Sequence, residues 1–240
     1  MPLSIDIVIP VLNEQHALPR CIKTLRGFLL EAIPNQWRIV IADNGSEDDT
    51  PRVIQQLVNE HQDVVSSRLE QRGRGRALRQ AWMGSSADIV SYMDVDLSTD
   101  LTAFPPLIGA IEGGYDIAVG SRLASKAQVH GRSTKREVTS RCYNILIKGM
   151  FLTHFSDAQC GFKALTSTAA RVLVPYVADQ GWFFDTELLI LAEKLGFRIK
   201  DIPVNWTDDP DTRVNVIRTV LGDLRGLLRL RFSRLPPAPR

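Results

Sequence analysis

The run Asp88-Ile89-Val90-Ser91-Tyr92-Met93-Asp94-Val95-Asp96-Leu97-Ser98-Thr99-Asp100 constrains this chain more than any other stretch. Its first half has the length and β-branched content of a buried strand. It then breaks into acids and hydroxyls with neither glycine nor proline at the break. Open α/β sheets bind their ligands outside the carboxyl ends of the strands, which is where this acidic segment would lie. Asp94 and Asp96 stand one residue apart there, so a turn can bring both carboxylates onto one ion. Such oxygen donors suit Mg²⁺ or Mn²⁺ carrying waters and substrate phosphate. Asp-x-Asp is a short pattern that also occurs in solvated acidic loops, so its weight depends on the rest of the chain.

The rest alternates strands with helices. Ile5–Pro10, Trp37–Ala42, Val64–Val65, Asp88–Met93 and Tyr115–Gly120 read as strands, and Phe197–Val204 alternates as an edge strand does. Helices are predicted from Ala17, from Thr50 as an N-cap with Pro51 at the first helical position, and over Arg76–Met83 and Leu107–Glu112. Further helices are predicted over Val138–Leu152 and over Glu187–Leu195, the last capped by Asp185 or Thr186. This alternation predicts an α/β fold, a mostly parallel central sheet flanked by helices on both faces. At 240 residues the chain is expected to form one large domain over 1–212, a basic amphipathic helix over 213–234 and a disordered tail over 235–240.

Three strand ends carry polar clusters: Pro10 to Glu14, Asp43 to Ser46, and Asp94 to Asp100. Parallel topology would gather them on one rim. A carboxylate at the second end can accept from a base N–H or from ribose hydroxyls. Arg72-Gly73-Arg74-Gly75-Arg76 adds a cationic turn before a helix, suited to phosphate by charge and by the helix N-terminus. It is neither a Walker A loop nor a Rossmann glycine fingerprint. His16, His61, His130 and His154 have no partner pattern, so no histidine-centred triad is expected.

Ile7-Val8-Ile9-Pro10-Val11-Leu12-Asn13-Glu14, Ile41-Ala42-Asp43-Asn44-Gly45-Ser46, Arg72-Gly73-Arg74-Gly75 and Asp94-Val95-Asp96 follow the order seen in family 2 glycosyltransferases of the GT-A (Rossmann-like) fold. Gly120-Ser121-Arg122, Asp157-Ala158-Gln159-Cys160-Gly161-Phe162-Lys163, Phe184-Asp185-Thr186-Glu187 and Val204-Asn205-Trp206-Thr207 resemble the polyprenyl-phosphate sugar synthases, nearest the dolichyl-phosphate glucosyltransferase branch. The resemblance runs from about Ile5 to Arg213. It implies that Pro10, Asn13, Glu14, Asp43 and Arg74 hold the nucleotide. Asp94 and Asp96 would bind the diphosphate and its Mg²⁺ or Mn²⁺, with Ser98 as a third oxygen ligand. Arg122 and Arg136 would clamp the acceptor phosphate. Asp157, Gln159 and Lys163 would face the sugar or the acceptor, with Lys163 on the acceptor phosphate and Asp96, Asp157, Arg122 and Arg136 forming the catalytic set. The chain departs from the pattern with Asp43-Asn44 where many relatives carry two aspartates, and with arginine where the turn more often has lysine. Asp157 also fits a cap or ion pair, and Trp206 ordinary packing.

The implied reaction is inverting transfer from a UDP-sugar to polyprenyl phosphate, with UDP-glucose or UDP-N-acetylgalactosamine as donor. GDP-mannose is the alternative, followed by a sugar-phosphate nucleotidyltransferase or a non-catalytic membrane-binding module. A net charge of +2 argues against a general nucleic-acid binder. From Arg213 onward there are seven arginines and one acid, Asp223, so the tail carries +6 and the remainder −4. Ile217, Val220, Leu221, Leu224, Leu227 and Leu228 repeat at helical spacing, with Arg218, Arg225 and Arg229 interleaved. Such a helix fits either an interfacial anchor on an anionic leaflet or packing against its own domain. Three scattered cysteines suggest reduced thiols, and neither a signal peptide nor a run of about 18 apolar residues is visible. The expected placement is the cytoplasmic face of a membrane, held peripherally and compatible with a small integral-membrane partner.

Overall fold

The structure is a computed structural model that describes residues 2–208 and 216–233. Its seven-stranded sheet contains β1 (Ile5–Val11), β2 (Trp37–Asp43), β3 (Val64–Arg68), β4 (Ile89–Met93), β5 (Ile117–Ser121), β7 (Phe162–Thr166) and β8 (Ile199–Pro203), in the order β3-β2-β1-β4-β7-β5-β8. The helices are α1 (Ala17–Ala32), α2 (Thr50–Glu60), α3 (Arg74–Met83), α4 (Phe104–Glu112), α5 (Thr134–Phe151), α6 (Ser167–Leu173), α7 (Phe184–Lys194) and α8 (Val216–Phe232). Two short strands, β6 (Gln128–His130) and β9 (Asn205–Thr207), form a separate parallel pair.

Period-two alternation makes the layers. On β1, Ile5, Ile7 and Ile9 join the core under α1, α2 and α4, whereas Val8 joins the core under α3, α6 and α7. The mostly parallel α/β sheet expected from the sequence is present, with one strand reversed. β7 runs antiparallel to both β4 and β5, pairing Met93 with Phe162 and Val119 with Lys163. Because β7 is reversed, its amino end lies at the carboxyl ends of β4 and β5. The segment Asp157 to Gly161 therefore reaches the same rim as Asp94 and Arg122, a placement that strand-by-strand reading does not give.

Thr50 is the first helical residue and not the cap. Its amide donates to Asp48 Oδ1 at 2.9 Å, and its buried hydroxyl accepts from the Glu14 amide at 2.8 Å, tying the first strand end to α2. Asp185 likewise caps nothing, because α7 begins a turn earlier than expected and carries it inward.

Helix α7 buries nine consecutive residues, Phe184 to Ala192, which requires cover on its outer side. Helix α8 supplies it. Leu227 and Leu230 enter the core, and Gly226 lies so close to Phe183 that a Cβ there would sit 2.4 Å from its ring. Arg229 reaches the buried Glu187 at 2.8 Å, and the buried Asp223 accepts from Gln159 Nε2 at 2.7 Å. Val220, Leu221, Leu224, Leu228 and Phe232 remain exposed. The reading of this helix as packing against its own domain is met on the inner face. The expected disorder over 235–240 lies outside the described residues, as do 213–215 and 234.

Burial pushes the Asp223 carboxyl up to about 7; the Gln159 bond opposes this and the Asp179 carboxylate adds to it, with the Tyr143 hydroxyl of α5 also nearby. A carboxyl that holds its proton more tightly when folded stabilises the fold fully below its unfolded value of about 3.9, and that contribution fades as pH rises through 7. Thermal unfolding from pH 5 to 8 should therefore show wild type losing ground to Asp223→Asn as pH rises. A pH-independent difference between the two would contradict this.

Candidate active site

One part of the rim is built where β1 and β2 stop. Asn13 adopts a left-handed conformation (φ 58°), its amide donates to Ser46 Oγ at 3.0 Å, and its Oδ1 accepts from the Glu47 amide at 2.8 Å. Pro10 and Glu14 flank this turn, so the first two strand ends close on each other. Asp43 is buried, with Oδ1 accepting from the Ser46 amide at 2.9 Å. Its Oδ2 has the Arg68 guanidinium 3.2 Å away but no aligned hydrogen bond, leaving a buried acceptor. Buried acceptors without a donor are uncommon, and a base N–H would satisfy this one. Asn44 Oδ1 accepts from the Gly73 amide at 2.6 Å and fixes the cationic turn against the second strand end.

Gly73 is required at that turn, because its φ of 154° brings the Cα so close to Gln180 that a Cβ would lie 2.6 Å from the carbonyl oxygen. The turn delivers Arg74 into the centre of the rim. Its guanidinium donates to Asp94 Oδ1 at 2.7 Å and to Asp185 Oδ2 at 2.6 Å. It also lies 4.9 Å from the Tyr92 ring centroid and 5.0 Å from that of Trp182. Asp185 takes further bonds from the Tyr92 hydroxyl at 2.5 Å and from Lys163 Nζ at 3.2 Å. Burial works against the Asp185 carboxylate, but Lys163 and Arg74 outweigh it and hold its pKa below the usual range. Lys163 is fully buried, and its remaining bonds go to the Tyr92 hydroxyl and the Cys160 carbonyl. The structure thus places Lys163 behind the rim, within a charge network. Asp185 was visible in the sequence but read as a cap; spacing gives no sign that a helix's second residue faces a lysine and an arginine.

Asp94 is 42% exposed and turns toward a small cleft that it shares with Asp96, Leu97, Ser98, Gly161 and Trp206. A Cβ on Gly161 would lie 1.7 Å from Asp94 Oδ2, so the absence of a side chain there is what gives the carboxylate its position. Asp96 Oδ1 accepts from the Ser98 amide at 2.9 Å across a turn in which Leu97 has φ 52°. Among the described residues there is no cluster of three or more acidic, histidine or cysteine groups. Two carboxylates on one cleft fit a hard divalent ion that takes its other ligands from phosphate and water.

The third part of the rim is cationic. Arg122 follows β5 and pairs bidentately with the buried Asp157, at 2.7 and 2.9 Å. Burial alone would raise the Asp157 pKa, but Arg122 overrides it and the carboxyl titrates below its ordinary value. Arg122 lies 5.5 Å from the Trp206 ring centroid and Arg132 5.8 Å from the same ring. Arg136, in the first turn of α5, donates to Asp208 Oδ2 at 2.6 Å. Arg132 Nη1 donates to Glu137 Oε2 at 2.8 Å; burial lowers the Arg132 pKa, repulsion from Arg122 lowers it further against the pull of Glu137, and its buried Nε has no hydrogen-bond partner among the described residues. Arg132 was not singled out by sequence reasoning; its neighbours are set by the β6–β9 pair, which folds Trp206 back over it. Gln159, expected to face sugar or acceptor, points instead to Asp223 on α8. Glu187 is buried beneath α8, accepting from Arg229 and from the Asp179 amide at 2.8 Å.

The family described as "Glycosyl transferase family 2" matches residues 6–173. Glycosyltransferase AglD of Haloferax volcanii is 34% identical over 230 residues, which make up 95% of this chain but 37% of that protein. The chain therefore spans well under half the length of that relative. Dolichyl-phosphate beta-glucosyltransferase of Dictyostelium discoideum is 28% identical, over 97% of this chain and 75% of its own. The Saccharomyces cerevisiae protein of the same description is also 28% identical, with the same two coverages. Among solved structures, glucosyl-3-phosphoglycerate synthase from Mycobacterium tuberculosis, in complex with Mn²⁺, UDP-glucose and phosphoglyceric acid, superposes with a TM-score of 0.70 at 16% identity. The match covers 95% of this chain and 79% of that one. That likeness shows the fold.

The Gly161 contact makes the geometry testable. Gly161→Ala should displace the Asp94 carboxylate and lower Mn²⁺-dependent UDP affinity by about tenfold, roughly 1.4 kcal/mol. Isothermal titration with UDP and Mn²⁺ would measure it. Unchanged affinity would mean that the position of Asp94 does not matter to nucleotide binding.

Proposed function

The chain belongs to glycosyl transferase family 2, and on that premise we propose that it transfers a sugar, with inversion, from a UDP-sugar to the phosphate of a polyprenyl lipid. One observation supports this reading above the others. An acidic cleft at Asp94 and Asp96 meets an arginine cluster across a single residue, Trp206, which lines the cleft and stacks under Arg122 and Arg132. Such a rim suits two phosphates of different kinds. The acidic side takes a metal-bound diphosphate, and the cationic side takes a bare anionic one.

On the donor side, Asp43 would accept from the base or ribose at the turn formed by Pro10, Asn13 and Glu14. Asp94 and Asp96, with Ser98 beside them, would hold Mg²⁺ or Mn²⁺, and a bound ion neutralises charge on the departing diphosphate. Arg74, already bonded to Asp94, would present its charge to the same phosphates. On the acceptor side, a phosphate monoester has a second pKa of about 6 and is anionic near neutral pH. It therefore needs positioning more than deprotonation. Arg122, Arg132 and Arg136 provide the planar donors for that positioning. Asp157, ionised and locked to Arg122, would orient that arginine and not abstract a proton. Lys163 would act from behind the rim by holding Asp185, and through it Arg74.

The donor is proposed to be UDP-glucose, in line with the names of the two eukaryotic relatives. UDP-N-acetylgalactosamine and GDP-mannose are the alternatives that a donor panel separates. Among the described residues no helix is long and apolar enough to cross a membrane. The outward face of α8, with Val220, Leu221, Leu224, Leu228 and Phe232 beside Arg225 and Arg231, suits an anionic lipid surface, where each basic residue adds about 1 kcal/mol.

Membranes supplied with polyprenyl phosphate and a panel of labelled nucleotide sugars should yield one lipid-linked sugar, identified by mass, and excess EDTA should abolish it. Full turnover in EDTA would remove the metal from the reading; absence of a lipid product with every donor would remove the acceptor. Arg132→Ala should raise the acceptor KM about tenfold and leave UDP-sugar affinity within about twofold, since its contacts lie on the cationic side. Leu224→Gln with Leu228→Gln should weaken cosedimentation with anionic vesicles without lowering thermal stability, because both side chains are exposed. A loss of stability would mean that this face packs against protein.

A further inference from the structure

Taking Arg122 as an acceptor-phosphate ligand, as above, we propose that α8 sets the acceptor half of the site through a strut, Asp223 to Gln159, so that these two side chains are positioning residues for transfer. The path is continuous. Asp223 on α8 accepts from Gln159 Nε2 at 2.7 Å, the Gln159 amide donates to Asp157 Oδ1 at 3.2 Å, and Asp157 grips Arg122 through two bonds. Asp157, Gln159 and Asp223 thus link the helix to the rim in three steps. The Ala158 amide, between the first two, is held by Asn144 Oδ1 of α5 at 3.0 Å, while the Gln159 side chain reaches α8.

The sequence makes the link conspicuous. Asp223 is the one acid among seven arginines from Arg213 onward. On a helix selected only for attraction to an anionic surface an acid is a liability. Here it is turned inward and buried, and its partner belongs to the catalytic rim. Burying a carboxyl is unfavourable unless its bonds are made, so the contact lends direction to the docking of α8, which apolar packing by Leu227 and Leu230 alone does not. The same helix shows its second apolar face to solvent. A helix with one face on lipid and the other on Gln159 would couple arrival at the membrane to the order of the acceptor arginine.

The test uses the full chain and a short, soluble prenyl phosphate, so that vesicle binding does not enter. Asp223→Ala and Gln159→Ala should each raise the acceptor KM about tenfold and leave UDP-sugar affinity within about twofold. Their combination should be no worse than either alone, as for two ends of one contact. Asp223→Asn, whose amide oxygen can still accept from Gln159, should restore the acceptor KM. Amide hydrogen exchange in the ligand-free protein gives a readout that does not depend on the acceptor. Residues 157–161 should exchange faster in the two alanine variants and not in Asp223→Asn, with β1 and β4 unchanged. If wild type uses no prenyl phosphate, the functional reading fails and the exchange data alone decide the strut. Unchanged exchange in Asp223→Ala overturns the proposal. So does faster exchange with an unaltered acceptor KM, or an equal loss of donor affinity, which would mark the contact as general support.

Discussion

The rim depends on a buried charge network in which Arg74 joins Asp94 to Asp185, while Lys163 and the Tyr92 hydroxyl complete Asp185. Charges out of water persist only when paired and hydrogen-bonded, and removing one partner of a buried pair typically costs about 3–5 kcal/mol. That penalty applies to four elements together, because α3 supplies Arg74, β4 Tyr92, β7 Lys163 and α7 Asp185. Their relative placement is therefore fixed beneath the cleft. Asp94, at the exposed end of the network, keeps one oxygen on Arg74 and the other against Gly161. The Asp94 carboxylate is thus aimed by groups that lie behind the cleft.

The cationic side follows a different logic. Arg122 is satisfied by Asp157 and Arg132 Nη1 by Glu137 at 2.8 Å, but among the described residues Arg132 Nε is a buried donor left over, and burial and the Arg122 charge depress the Arg132 pKa. Like charges are held together here by covalent connection to the β6–β9 pair and by the face of Trp206, which favours guanidinium groups above it. An anion between these arginines would relieve their repulsion and supply the missing acceptor. The two sides therefore differ in one respect: the arginines here are each paired with a carboxylate, Asp157, Glu137 and Asp208, yet Arg132 keeps one buried donor unused among the described residues.

Helix α8 contributes to both stability and placement. Its inner stripe completes the cover of α7, while its outer stripe remains apolar and exposed. A helix apolar on two faces needs two environments, and the domain provides one of them. Arg225 and Arg231 lie exposed beside that outer stripe and give it a positive sign of charge.

Much of this was legible in the chain itself. Period-two alternation at Ile5, Ile7 and Ile9, the break at Met93-Asp94, and the polar ends after β1 and β2 determined the layers and the rim, because local propensity and side-chain periodicity act over a few residues. The paired carboxylates Asp94 and Asp96 and the arginines of α8 were likewise legible in the sequence. The tertiary structure alone decided the direction of β7, which carries Asp157 to Gly161 onto the rim. It alone buried Lys163 behind that rim, turned Asp185 from a cap into the partner of Arg74, brought Arg132 to Trp206 and joined Gln159 to Asp223. These pairings span long stretches of sequence, such as the 111 positions from Arg74 to Asp185. No local pattern encodes such a contact, since its energy exists only once the sheet has closed and water has been excluded from both charges.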